Sequence, residues 1–550
     1  MLVTQVLAQS YAEGNEYIPQ YLTDSPLPQG HPWGGRTANN TDVYPPYTGV
    51  IRAYDFTIKR EVKAPDGYQR RLILINGQFP GPLIEANWGD TIQVRVRNEI
   101  DDPPEGVALH WHGLLQKSSQ WMDGVPGIQQ CPIPPGKTFT YTFRADLYGT
   151  SWYHSHYSAQ YADGIYGPMI IHGPDTVPYD IDKGPILLTD YFHTQYWDLV
   201  ADAVGTDIHS AVPYSDNNLI NGKNNFNCAS VSPGDRTPCK NNSGIPNFRF
   251  SPGKVHRLRL INAGTEAIQK FSIDGHNMTV IANDFVPIQP YETQVVTLGV
   301  GQRTDVLVTG LSHESGAYMM RSSVATCSSC KSPNATAIIY YHHDDLSRPV
   351  TTTPWPSWVE SVAHNCANDY LNKTVPWYPM QPDLTPSVTE TINIAYGQNE
   401  TGHWLWTMNN SSFRADYNAP ILLLSNLGNN SYPDNPEWNV YNFGSNSSIH
   451  VGQGTWTNST IINPTNPQRR DVQIMPGAGY LVLQITADNP GVWPLHCHIA
   501  WHVSGGLYIS VMERPDDIAK LQIPSIMAQT CRDWAAFSGH TVIDQIDSGL

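Results

Sequence analysis

Three times the chain places two histidines one residue apart: His110 and His112, His154 and His156, His496 and His498, with Cys497 inside the last pair. Twenty histidines scattered over 550 residues would give only about 0.7 such pairs at random, so the excess calls for a reason. Imidazole and thiolate both suit copper, and one Cys with two His and a weak axial group is the electron-transfer arrangement. In a strand, residues i and i+2 point the same way while the one between points oppositely. Each pair can therefore aim two imidazoles at one spot, and Cys497 faces another. One short strand would then join an electron-accepting copper to a metal cluster behind it. A closed zinc site would call for C-x-x-C spacing, which the segment around Cys497 lacks.

The surroundings sharpen this reading. The first pair stands in His110-Trp111-His112-Gly113, the second in Trp152-Tyr153-His154-Ser155-His156, and the third opens a run that reaches His502 and Leu507. A lone pair could equally be satisfied core histidines; the repetition and the aromatic neighbours favour a metal. Leu507 sits five residues after His502, where a fourth ligand would lie. Leucine cannot coordinate, and a copper without an axial ligand is more oxidising.

Positioning these residues requires short strands. Strand-like runs begin at Val50 with IRAYDFTIKREV, RRLILING and DTIQVRVRNEI, punctuated by PDG, NGQFPGP and DDPPEG. Such runs at 8–12-residue spacing indicate a β-sandwich or barrel. A second series starts near Gly184 and a third spans Thr389–Glu513, which suggests a repeated sandwich module. The expected organisation is an extended arm (1–49), sandwich units at 50–175, 176–345 and 389–515, a Pro/Ser/Thr-rich linker (346–388), and a partly helical tail (516–550).

Composition agrees with an all-β chain. Gly and Pro make up about 16% of residues, against a usual share near 12%. Charged residues are only 15%, where about 25% is common. Eleven N-x-[ST] sequons point to a secreted glycoprotein, although Met1–Ser10 is too short for a signal peptide. Either the true start lies upstream, the reading preferred here, or the protein is not secreted. A net charge of −17 argues against nucleic acid and anionic membrane as partners. No apolar run approaches a membrane span. With Cys497 set aside as a ligand, seven cysteines remain. Cys228 and Cys239 can bridge locally, Cys327, Cys330 and Cys366 compete for one bridge, and Cys131 and Cys531 can clamp the tail to the first unit.

HWHG at 110–113, QWMDGVPGIQQCPIPPG at 120–136, WYHSH at 152–156 and DNPGVWPLHCHIAWHVSGGL at 488–507 together resemble the multicopper oxidases, and among them the ascomycete-type fungal laccases. The resemblance runs from about residue 50 to the terminal Asp547-Ser548-Gly549-Leu550, which resembles a C-terminal plug. It implies three cupredoxin-like domains, and a monomer that oxidises a small phenolic reductant and reduces O2 to water. Matched by position, Cys497 and His502 bind type 1 copper with Leu507 in the axial place, and His110 binds type 2 copper. His112, His154, His156, His496 and His498 bind the type 3 pair, and Asp123 supplies protons during O–O cleavage, unless it is simply a turn residue before Gly124.

One family box is not whole. An H-P-x-H-L-H motif should precede GQGTW, and only His450 stands there, as if SSIH had been joined directly to VGQGTW with a strand near 445–455 missing. His450 then matches a type 1 ligand, or is a surface histidine in a polar loop; His403 is the nearest other candidate. The expected copper complement is below the family's four, and the competence of this chain is open. The competing explanations are a deletion or splicing fault, a natural non-catalytic cupredoxin-like relative, and replacement ligands from elsewhere. An oxidase of metal ions or pigment precursors is the further alternative. His31, His209, His313, His342 and His343 read as solvated, and His276 as structural.

Overall fold

The computed structural model describes residues 2–5, 21–22, 31–37, 45–312, 316–347, 349–382, 386–429, 439–444, 447–452, 463, 465–539 and 546–550, with backbone alone at 2–5 and 447–452. Strands dominate, as the alternation in the sequence dictates. Val50–Lys63 buries every second side chain, the pattern of a strand with one face on the core. It pairs antiparallel with Arg70–Ile75 and parallel with Thr91–Asn98, which in turn pairs with Thr138–Arg144. Leu2–Gln5, from the arm, adds in parallel to its other side. A second sheet of Ile84–Asn87, Tyr166–His172, Gly149–Ser155 and Leu109–Trp111 completes the first unit.

The next unit stacks a six-stranded sheet on a five-stranded one. In the last, described strands form smaller sheets of three, two and three. Ser447–Gly452, where the truncated box falls, forms a strand with His450 opposite Thr391 and Val482. Within 346–388, Pro356–His364 is a helix opened by proline, whose fixed φ suits a first helical turn.

The largest core links the first unit to the third and to the tail: Leu109, Trp111 and Tyr153 share it with Trp501, Met512, Trp534 and Leu550. Trp534 lies on the tail helix Ser525–Ser538. Disulfide Cys131–Cys531 closes this contact, Cys228–Cys239 closes its loop, and Cys366 wins the competition for Cys327, leaving Cys330 free. No described helix is long and apolar enough to cross a membrane.

Candidate metal centre

The first two histidine pairs come from adjacent strands. Leu109–Trp111 runs antiparallel to Gly149–Ser155 with His110 opposite His154. The third pair ends the strand Gly491–His496, whose His496 lies opposite Tyr508. The six imidazoles converge where the first and third units meet. Ring centroids stand 5.5 Å apart for His110 and His154, 5.0 Å for His112 and His498, and 5.1 Å for His156 and His496. Ligand nitrogens of His110, His112 and His154 lie within 4.8 Å of one another.

Ring orientation follows from hydrogen bonds at the back of each imidazole. The Nδ1–H of His110 donates to the Asp123 carbonyl (2.8 Å), that of His154 to the Ser155 carbonyl (2.9 Å), and that of His496 to the Cys497 carbonyl (2.8 Å). Their Nε2 lone pairs are thereby left for the interior, and His154 Nε2 is buried without any partner. Such an orphaned acceptor among neutral imidazoles suits a copper ion. Burial, with the Arg303 guanidinium at His112 and neighbouring imidazoles at all of them, holds His112, His154, His156 and His498 well below the usual histidine range, and His496 at about 4. For His110 burial pulls the same way, but the Asp123 carboxylate outweighs it and raises the pKa. Asp123 is itself buried, with Oδ1 3.4 Å from His110 Nδ1.

Behind this cluster, Cys497 Sγ lies 3.4 Å from His502 Nδ1. The short helix Ala500–Ser504 turns His502 back toward the thiol, and the backbone N–H of Cys497 donates to the Leu507 carbonyl (3.2 Å). Leu507 is buried in the apolar cluster that Cys497 also touches. Burial raises the thiol to about 11 and lowers His502 to about 4. Trp406 covers the His502 ring at 4.3 Å between centroids, and His502 is half-buried.

The backbone at 301 approaches the cluster closely. Gly301 has φ +82°, and a Cβ there would meet His498 Cδ2 at 2.7 Å. At the edge, Asp471 Oδ1 lies 3.3 Å from His112 Nε2 and is paired with Arg303. Neither residue stood out in the sequence: Asp471 ends the charged run Arg469-Arg470-Asp471, and Arg303 is a single cation opening the strand Arg303–Thr309. Glu266 was also missed. Burial and Asp190 raise its carboxyl to about 8, and its Oε2 has no partner.

The other expectations fall out as follows. His450 sits mid-strand, and its side chain lies outside the described residues. His403 stays apart from the cluster, with Nδ1–H on the Val204 carbonyl (2.7 Å). His276 is buried, 2.7 Å from the Tyr341 hydroxyl. His31, His209, His342 and His343 are exposed, and His313 lies outside the described residues. The C-terminus is inserted next to the cluster: Asp547 accepts from Ser158 Oγ (2.6 Å), and Ser548 N–H donates to the Ser504 carbonyl (2.8 Å).

Profiles of the multicopper oxidases match residues 57–176, 182–344 and 383–517. Laccase-2 of Botryotinia fuckeliana is 37% identical, with 92% of this chain and 89% of the relative covered. Dihydrogeodin oxidase of Aspergillus terreus is 31% identical over 100% of this chain and 99% of its own length. A laccase from Botrytis aclada superposes with a TM-score of 0.83 at 34% identity, covering 94% of this chain and 98% of that one.

Proposed function

Because this chain belongs to the multicopper oxidases, copper-dependent enzymes that use O2, we propose that it is a laccase-like oxidase of small phenolic donors working with an incomplete ligand set. Copper, when bound, supplies one-electron redox chemistry, so that 4 ArOH + O2 gives 4 ArO• + 2 H2O. The observation that carries the reading is the convergence of six imidazoles on one side of the strand end at 496–498, with Cys497 paired to His502 on the other.

Each residue has a physical task in this proposal. Cys497 and His502 would hold the donor-side copper with His450 as their third partner, and Leu507 beside them offers no donor atom. His110, His112, His154, His156, His496 and His498 hold the cluster. The His496 Nδ1–H bond to the Cys497 carbonyl gives a compact link between the two centres. Asp123, buried against His110, is the proton source on the O2 side. The protein is read as a secreted, glycosylated monomer.

The missing H-P-x-H-L-H box favours a second reading, a copper-poor cupredoxin-like protein without turnover. Copper counting on the purified full chain separates the two. Bound copper with the blue absorption of a Cu–thiolate centre supports the oxidase; a folded chain that takes up no copper refutes it. A transcript read across the codons around His450 shows whether the box is lost from the gene or only from this chain.

A further inference from the structure

The helix Pro356–His364 and the chain after it carry a polar residue at every fourth position: Ser357, Ser361, Asn365, Asp369 and Lys373. Residues four apart on a helix share a face, so Ser357 and Ser361 look the same way. All five line one groove of about 450 Å³. Its other wall belongs to the second unit, where the strands Val286–Thr293 and Val296–Leu298 bring the hydroxyls of Thr293 and Thr297, with the amide of Gln294 between them. Ser357 Oγ donates to Gln294 Oε1 (2.7 Å) and ties the two walls together. Tyr291 Oη donates to Asp369 Oδ2 (2.6 Å) and holds that carboxylate in place.

The chemistry of the lining selects an occupant. Ligand cavities of about 300–1,000 Å³ are ordinarily mostly apolar with a few polar groups. Here Val295 is the one apolar side chain among the described lining residues. Hydroxyls and amides on both walls both donate and accept, which matches a ligand with donors and acceptors over its whole surface, a sugar. Asn277 lines the same groove. It opens the sequon Asn277-Met278-Thr279 and is exposed in the turn between the strands Gln269–Ile273 and Met278–Asn283. Its Oδ1 accepts from Gln294 Nε2 (3.4 Å), so Nδ2 is the atom left for a linkage.

We propose that Asn277 carries an N-linked glycan whose first N-acetylhexosamines lie in this groove, against Ser357, Ser361 and Asn365. In the attachment step Nδ2 loses a hydrogen and bonds the anomeric carbon of a lipid-diphosphate-linked oligosaccharide. The bond from that carbon to the diphosphate oxygen breaks, the lipid diphosphate leaves with the electron pair, and the proton goes to solvent. The inference rests on the secreted reading, because that sugar donor is met on the secretory route; it does not depend on copper or on turnover. Held in this way, the glycan would bridge the second unit and the segment that leads to the third.

The test expresses the full chain behind an added secretion leader in a fungal host, so that entry no longer depends on the chain's own start. Glycopeptide mass spectrometry reads occupancy, and native digestion with an endoglycosidase that cuts between the first two sugars reads access. Asn277 is expected to be occupied in the wild type and in Thr279→Ser, and empty in Asn277→Gln and Thr279→Ala. Ser361→Trp, which fills the groove, should keep occupancy while raising native cleavage at Asn277 roughly tenfold, the equivalent of a couple of lost hydrogen bonds. An empty Asn277 in the leader-driven wild type overturns the proposal, whether or not other sequons are occupied. Equal cleavage rates in wild type and Ser361→Trp overturn it as well, leaving the groove to water. The secreted reading fails separately: an occupied Asn277 in the leader-driven chain, with the natural protein found only inside its own cells, counts against that reading alone.

Discussion

Gly301→Ala isolates the cost of crowding one cluster histidine. Gly301 has φ +82°, and an added Cβ would stand 2.7 Å from Cδ2, 3.0 Å from Nε2 and 3.1 Å from Cγ of His498. Ordinary contact begins near 3.4 Å, so the imidazole must retreat by about 0.7 Å, while a metal site tolerates about 0.2 Å in its ligand distances. Left-handed backbone also costs a non-glycine residue about 1–2 kcal/mol. Gly136→Ala is the matched control: its φ is +76° and nothing lies within 4 Å of the added carbon. Both variants therefore carry the same backbone cost, and only one pushes the ring. Gly301→Ala should lose a further 1–3 kcal/mol of stability, roughly the cost of overpacking. Displacement near 1 Å costs on the order of 100-fold in turnover. Copper affinity by chelator competition, thermal melting and O2 uptake are the measurements. Equal copper affinity in the two variants would refute the placement of His498 beside Gly301.

Three further outcomes follow from the same geometry. Cys531→Ser opens a bridge spanning 400 residues and should destabilise the tail contact by about 2–4 kcal/mol, read as faster hydrogen exchange in Ser525–Ser538. Deleting Asp547–Leu550 removes the bonds to Ser158 and Ser504 and should change O2 consumption; unchanged consumption would sink the plug role. Glu266 titrates at about 8 when folded, raised by burial and Asp190, against an ordinary 4.5. The unfolded chain releases this proton first, so stability falls as pH rises from about 4.5 to about 8. Glu266→Gln should make that fall shallower in melting scans, and identical pH slopes would contradict the assignment.

The legible parts of this molecule are those encoded by local period. The i, i+2 spacing of three histidine pairs is a strand property, so convergence could be read from the sequence without knowing which strands meet. Opposition of Cys497 to its flanking imidazoles follows from the same alternation, and the thiol does lie against His502 rather than in the cluster. Spacing left open the partner of Cys327, because Cys330 and Cys366 were equal in sequence and only the packing of the 346–388 segment brings Cys366 within reach. Helix Pro356–His364 was hidden because it is a short run inside a Pro/Ser/Thr-rich stretch, where Trp358, Val359 and Val362 offer only a two-turn apolar stripe and no residue is fully buried.

What stayed illegible depends on distance along the chain. Asp471 meets Arg303 across 168 residues and His112 across 359, and nothing in RRD marks its Asp as the one behind a ligand. The truncated box shows the converse. Its absence is plain in the sequence, yet Ser447–Gly452 still forms a strand between Thr389–Ile392 and Tyr480–Ile485. Backbone pairing needs only a strand of suitable length and edge groups to bond, whereas coordination needs particular side chains at particular angles. A strand at Ser447–Gly452 can therefore pair on both sides whether or not a metal site beside it has its full set of ligands. For that reason the paired strands described in the third unit are no argument for full copper occupancy, and the copper count carries the decision about activity.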